Sequence, residues 1–182
     1  MVTVLHTERL TLRQLEATDA EALELLINDY DVARTTLNIP YPYPKGGAMA
    51  FINHRAMVSK KGEGYTFAII NKEKAEFMGT IGMQLDHKNN RAELGYWLGK
   101  RFWNQGYVTE GVRRITQFGF EELKLHKIHA AAMTKNPASS SVMKKIGMQY
   151  EGTLRQHFLK WDAYEDVDYY GILYEDYIKL TT

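Results

Sequence analysis

The chain contains no cysteine. That excludes disulfides, thiolate metal sites and a cysteine nucleophile together. It also suits a reducing compartment, so the cytoplasm is the expected location and no metal is expected. A charge excess is missing too: 23 Lys and Arg stand against 22 Asp and Glu, a formal net charge of +1. Without a basic field, neither nucleic acid nor an anionic membrane is an expected partner. The short runs "KLHKIH" and "KK" do not make a nucleic-acid stripe. No apolar run approaches the roughly 20 residues of a membrane span. The start, "MVTVLHTERLTLRQL", sets Glu8, Arg9 and Arg13 where a signal peptide would be apolar, so no signal peptide is expected. Proline is scarce, and three of the four prolines fall in "NIPYPYPKGG". That stretch reads as a loop offering Tyr41 and Tyr43. Repeats and low-complexity tracts are absent.

What remains is a globular composition: 182 residues, 45% hydrophobic and 12% aromatic. The length is that of one domain, residues 1–182, with room for a real core. Leu10 and Leu12 alternate as in a strand, and "TDAEALELLIND" reads as a helix from about Asp19. "AMAFINHRAMVSKK" reads as a second helix ended by "GEG". "YTFAII" and "FMGTIGMQLD" form an antiparallel pair around "NKEKAE". "RAELGYWL" is a further strand, followed by Val108, Val112, Ile115 and Phe118 at helical spacing. "KIHAAAMT" is a strand, and "NPASSSVMKKIGM" a turn and short helix ended by Gly147. "QYEGTLRQHFL" and "AYEDVDYYGILYEDYI" close the chain as strand-rich segments. Strands and helices without regular alternation imply an α+β three-layer domain with a mixed sheet.

The stretch "LGYWLGKRFWNQGYVTEGV" runs from a strand through a basic turn into a helix. The first amides of a helix lack internal partners, and its dipole is positive there. A glycine at that point, Gly106, lets a phosphate approach the main chain. A plain tight turn explains Gly106 equally well. The turn lacks the Gly-Lys-Ser/Thr of the P-loop and the spaced glycines of the dinucleotide fingerprint, which argues against both.

Three separated stretches together resemble the GNAT acyltransferase superfamily, in the branch of ribosomal-protein N-terminal acetyltransferases. The first is "TERLTLRQLEATDAEAL". The second is "WNQGYV" with Thr109-Glu110 after it, although Trp103 and Val108 depart from the superfamily's usual residues. The third is "KIHAAAMTKNPASSSVMKKIGMQYEGTLRQ", with Asn136, Ser139, Gly147, Glu151 and Gly152 on the pattern. The resemblance implies a central mixed, mostly antiparallel sheet flanked by helices. It implies acetyl-CoA as co-substrate, a primary amine as acceptor, and a homodimer, the assembly of many relatives. Its pyrophosphate would rest on the amides of Gln105, Gly106, Tyr107, Val108 and Thr109. Lys100 and Arg101 would add diffuse attraction or merely face solvent. Tyr96, Trp97 and Leu98 would bond the pantetheine arm, and Asn136 would assist.

Acetyl transfer to an amine needs a proton acceptor and a group to stabilise the departing sulfur. Without cysteine, direct attack within a ternary complex is the simplest route. Glu93, in an "AEL" context similar to the catalytic base of histone acetyltransferases, is the first candidate base. The glutamate used by the ribosomal-protein branch is replaced here by Phe158, with His157 beside it. His157 is the second candidate, because imidazole titrates near neutrality. Many relatives place an acidic tyrosine where Met143 stands. The resemblance then assigns sulfur stabilisation to Ser139, which a helix N-cap role would also explain. Tyr30, Tyr41, Tyr43 and the tail aromatics are candidate pocket walls. Asp29, Asp31, Asp162 and Glu165 could draw in a cationic amine. The favoured acceptor is a protein or peptide N-terminal α-amine. A small amine (polyamine, amino acid or aminoglycoside) and a non-catalytic coenzyme-binding protein remain as alternatives.

Overall fold

The computed structural model describes residues 3–181. They form β1 Leu5–His6, β2 Leu10–Gln14, α1 Ala20–Ile27, α2 Tyr30–Arg34, α3 Gly47–Lys60, β3 Gly64–Asn71, β4 Glu76–Asp86, β5 Arg91–Leu98, α4 Tyr107–Glu121, β6 Lys127–Met133, α5 Pro137–Lys145, β7 Gln149–Lys160, β8 Ala163–Leu173 and α6 Tyr174–Thr181. The strands make one sheet in the order β1-β2-β3-β4-β5-β6-β8-β7. Every neighbouring pair is antiparallel except β5 and β6. This is the mixed, mostly antiparallel sheet that the sequence implies.

Helices cover both faces. On one, Val112, Ile115 and Phe118 of α4 bury against Leu10, Leu12, Phe67 and Ile81. On the other, Leu23 and Ile27 of α1 and Ala48 and Ile52 of α3 bury against Ala68, Ile70 and Trp97. Successive residues of β3 thus belong to opposite cores. That is why "FAII" reads as a continuous apolar run instead of an alternating one. Each buried Val, Leu, Ile or Phe among them contributes about 1.5–3 kcal/mol by leaving water.

Three elements were not legible. The two-residue β1 is too short for any period, and five-residue α2 gives less than two turns. The end of the chain departs from the strand-rich reading, because "YEDYI" begins α6. Tyr174 and Tyr177 both pack on Phe120, with ring centroids 5.9 and 5.0 Å away. Their three-residue spacing fits a helix face, whereas tyrosine content alone suggests a strand.

The feature that matters for function is an opening in the sheet. The parallel β5–β6 ladder pairs Arg91 with Lys127, Ala92 with Ile128 and Glu93 with His129. There it stops, although β5 continues to Leu98 and β6 to Met133.

Candidate active site

The open edge of β5 has a definite set of free groups. Gly99 N–H bonds Met78 O across from it, 2.8 Å. In an antiparallel ladder the bonding direction alternates along the strand. With the β4–β5 register, Glu93, Gly95 and Trp97 therefore spend their backbone groups on β4. Leu94, Tyr96 and Leu98 turn theirs toward β6, where pairing has ended. Leu98 O is taken by Trp103 Nε1 at 2.7 Å. Tyr96 N–H and C=O are thus the central free pair. Of the three residues expected to bond a pantetheine arm, Tyr96 and Leu98 face the opening. Trp97 instead contributes its buried ring, 6.3 Å from Phe77.

Gly106 caps α4 with φ +81°, the left-handed region that suits glycine. Glu110 N–H makes the first helical bond, to Gly106 O. The amides of residues 107–109 before it are left without helical partners, as at any helix start. Arg9 stands over this turn: its Nη1 donates to Gln105 O at 3.0 Å, and its guanidinium lies 4.4 Å from the Tyr107 ring centre. The cations expected to help are engaged elsewhere. Lys100 pairs with Asp31 and Arg101 with Glu76, each at 2.6 Å. The Gln105 side chain turns back to Arg101 O, leaving only its backbone near the turn.

Behind the opening, Tyr96 Oη lies 2.8 Å from Ser139 Oγ. Burial pushes the Tyr96 phenol up to about 12, although the bond to Ser139 works the other way. The phenol therefore keeps its proton throughout the neutral range. Ser139 is not the cap of α5. Asn136 is: its side chain accepts from Ser139 N–H at 3.3 Å, with Pro137 following. Asn136 Nδ2 also donates to Thr35 O at 2.9 Å, tying α5 to the end of α2. Met143, where relatives carry a tyrosine, is buried in the core. The hydroxyl near Ser139 comes from Tyr96 on β5 instead, a role the sequence pattern did not suggest.

On the other face of the sheet, Glu93 is exposed at the point where β5 and β6 part. Its neighbour His129 carries a buried Nδ1 with no hydrogen-bond partner. Burial holds the His129 imidazole below its ordinary value, against the opposing pull of Glu93. Tyr169 is raised by burial and by Glu93 as well. His157 sits farther out on β7, 6.2 Å from the Tyr169 ring. One cavity of about 750 Å³ joins the two faces. Its walls include Glu93, Tyr96, Trp97, Leu98, Gly106 to Thr109, Asn136 and Ser139, together with Thr35 to Ile39, Phe51 and Arg55. Gln105 and His157 are not among them. The acidic residues expected to attract an amine are largely spent. Asp29 caps α2, Asp31 binds Arg34 and Lys100, and Glu165 binds Lys135. Among the described residues, no group of His, Cys, Asp or Glu is placed to hold a metal ion. No helix among them is long and apolar enough to cross a membrane.

A sheet split between parallel strands, with free helix-start amides on one side and a carboxylate on the other, is built for group transfer between two ligands. The known proteins say which kind. Residues 9–149 match the acetyltransferase (GNAT) domain, and the chain belongs to that family. It is 34% identical over 174 residues to the uncharacterized N-acetyltransferase p20 of Bacillus licheniformis, covering 95% of this chain and 97% of p20. It is 26% identical over 121 residues to the ribosomal-protein-serine acetyltransferase of Escherichia coli, 66% of each chain. A GNAT acetyltransferase from Bacillus anthracis superposes with a TM-score of 0.85 at 27% identity, over 95% of this chain and 99% of that one. A spermidine N-acetyltransferase from Vibrio cholerae, solved with CoA and spermine, superposes at 0.82 with 21% identity over 94% and 99%, a likeness of fold. The protein is therefore an acetyl-CoA-dependent N-acetyltransferase. The open β5 edge, the positive-φ cradle of Gly106 and the half-buried Tyr96–Ser139 hydroxyl pair fit such a co-substrate.

Proposed function

We propose that the chain, acting as a single domain over residues 1–182, acetylates the N-terminal α-amine of a protein or peptide. Acetyl-CoA supplies the acetyl group as a thioester. The observation that carries the reading is the single cavity through the sheet, with Gly106 at one end and Glu93 at the other. Tyr96 N–H and C=O receive the amide-bearing arm as a strand edge receives a peptide. The amides of Gln105 to Thr109 hold the pyrophosphate, with the α4 dipole behind them. Asn136 acts as a strut for α5. Tyr96 Oη and Ser139 Oγ offer hydrogen bonds that stabilise the departing sulfur. Glu93 accepts the amine's proton, directly or through one water. Its neighbour His129 is held neutral by burial and so does not compete for that proton. His157, away from the cavity wall, takes no part.

An α-amine suits this site better than a lysine. Its pKa of about 7.7–8.0, against about 10.4, leaves far more free base at neutral pH. The similarity to the ribosomal-protein-serine acetyltransferase supports the same choice.

The test is Glu93→Gln. We expect kcat to fall by roughly 10²- to 10⁴-fold, the usual worth of a general base. The KM for acetyl-CoA should change little, and residual activity should recover as pH rises. Wild-type kcat in this variant at pH 7 would remove Glu93 from the mechanism. Faster acetylation of internal lysines than of peptide N-termini would overturn the acceptor.

A further inference from the structure

On the α3 side of the cavity stands a cation, Arg55, that no carboxylate among the described residues neutralises. Arg55, in the middle of α3, donates Nε–H to Thr66 Oγ1 at 2.7 Å. Among the described residues neither of its Nη atoms has a hydrogen bond, and no carboxylate is in ion-pair reach. Arg13 shows the contrast: both its Nη atoms rest on Asp19 at 2.7 Å. Burial lowers the Arg55 pKa, yet an arginine stays charged in proteins. A half-buried guanidinium with two free donor edges is an oxyanion fork awaiting its partner.

The floor beneath it is bare. Thr66 pairs with Gly82, and Gly82 with Gly95, so the three lie in one row on the α3 face. A Cβ on Gly95 would meet nothing within 4 Å. Glu93 stands two residues along β5 from that row. Among the described residues it is the one acidic residue on the cavity wall. A cation and an anion thus face each other over an empty glycine floor. Thr66 and Gly95 are two strand spacings apart, about 10 Å.

We infer that the acceptor is a zwitterion: a primary amine at Glu93 that carries a carboxylate or phosphate several bonds away, docked on Arg55. This rests on acetyl transfer at Glu93. A linear polyamine does not fit, because its second ammonium would meet Arg55. The oxyanion has three sources within this chemistry: the end of a short peptide, a phosphate ester, or an acidic side chain near a protein N-terminus.

Matched pairs decide the matter. They are glycylglycine against glycylglycinamide, O-phosphoethanolamine against ethanolamine, and an aspartyl-headed against an asparaginyl-headed tripeptide amide, with spermidine as the dication. Turnover is measured on each, along with calorimetric binding to the protein loaded with coenzyme A. Wild type should favour the anionic member of at least one pair by about tenfold or more, roughly 1.4 kcal/mol. The pair that responds names the source. Arg55→Gln should raise the KM of that anionic member about tenfold with kcat little changed. Arg55→Glu should shift preference toward spermidine. Equal handling of anionic and neutral members by wild type, or a preference that survives Arg55→Gln, overturns the inference. If an Arg55 variant does not fold, the wild-type preference alone decides. If no amine is acetylated although coenzyme A binds, the transfer reading fails, and binding of the pairs still judges Arg55.

Discussion

Replacing Tyr96 by Phe deletes a single oxygen and tests the least expected part of the site. The ring is partly buried against the core, so its packing is kept and no cavity opens beyond one hydroxyl. The lost bond to Ser139 Oγ, 2.8 Å long, is worth about 0.5–1.5 kcal/mol of stability. If that hydroxyl also meets the departing sulfur, kcat should fall by about 10²- to 10³-fold, or 2.7–4 kcal/mol, as for removal of an oxyanion-hole donor. The KM for acetyl-CoA should hardly move, because the backbone of β5 is unchanged. Protonation does not confuse the assay. A phenol raised to about 12 contributes stability that is full below the ordinary value near 10 and is lost only as pH climbs toward 12. The donor is therefore intact between pH 7 and 9, where amine deprotonation is varied. Steady-state release of the coenzyme thiol gives kcat, and calorimetry gives stability. Ser139→Ala and the double variant complete a cycle. Two hydroxyls acting as one unit should cost about as much together as singly. A Tyr96→Phe enzyme within about threefold of wild-type kcat, with only its melting temperature lowered, would reduce the pair to a tie between β5 and α5.

Gly106→Val should weaken coenzyme A binding by well over about tenfold, since a left-handed φ costs an L-residue about 1–2 kcal/mol and the Cβ adds crowding at the phosphate. Intact binding by calorimetry would refute the cradle. Lys100→Ala and Arg101→Ala should each change that affinity by less than about threefold, because exposed ion pairs contribute about 0–1 kcal/mol and these cations are already paired. A large loss from either would place it on the phosphates. Glu110→Gln should cost about 1–3 kcal/mol in denaturant titrations. Burial pushes the Glu110 carboxyl up, but bonds from Thr7 and Arg9 outweigh this and hold it below its usual range. Its contribution is thus full above the ordinary carboxylate pKa and fades as pH falls through the lower folded value. A wild-type advantage over Glu110→Gln that does not shrink in acid would contradict this.

Most of the fold was legible because the long elements carry their period openly. Arg91–Leu98 and the Val108-to-Phe118 stripe of α4 stand where the sequence puts them. The turn at Gly106 was legible for the same reason, as strand, glycine and helix are contiguous. The rest depends on pairing between distant segments. Nothing in "KRFW" says that Lys100 will meet Asp31, or that Arg101 will meet Glu76. Nothing in "GYW" says that Tyr96 will cross to Ser139, because the rotation of β5 against α5 decides it. The β5–β6 split is likewise a property of two strands together. Arg55 sits in a helix with little amphipathic pattern, where only Ala48, Ile52 and Val58 are buried. Its significance appears only once Gly82 and Gly95 line up beneath it.

The structure also joins two stretches that the sequence presents separately. "TER" precedes β2, while "TEG" opens α4. Glu110 of the second accepts from Thr7 Oγ1, from Arg9 N–H at 2.8 Å and from Arg9 Nε at 2.7 Å. Arg9 then reaches on to Gln105 O, beside Gly106. Its Nη2 lies 3.4 Å from where a Gly106 Cβ would stand. Glu110 is therefore spent on Thr7 and Arg9 and does not line the cavity. Its work is to hold Arg9. Arg9 in turn pins the Gln105 carbonyl, next to Gly106 to Thr109 on the cavity wall. Charge-assisted bonds at both ends keep the turn in one shape before any ligand arrives. Backbone amides that must meet a phosphate gain most from such preorganisation, since a floppy turn would lose entropy on binding. The turn between β1 and β2 and the start of α4 are accordingly one clamp, made from segments about 100 residues apart.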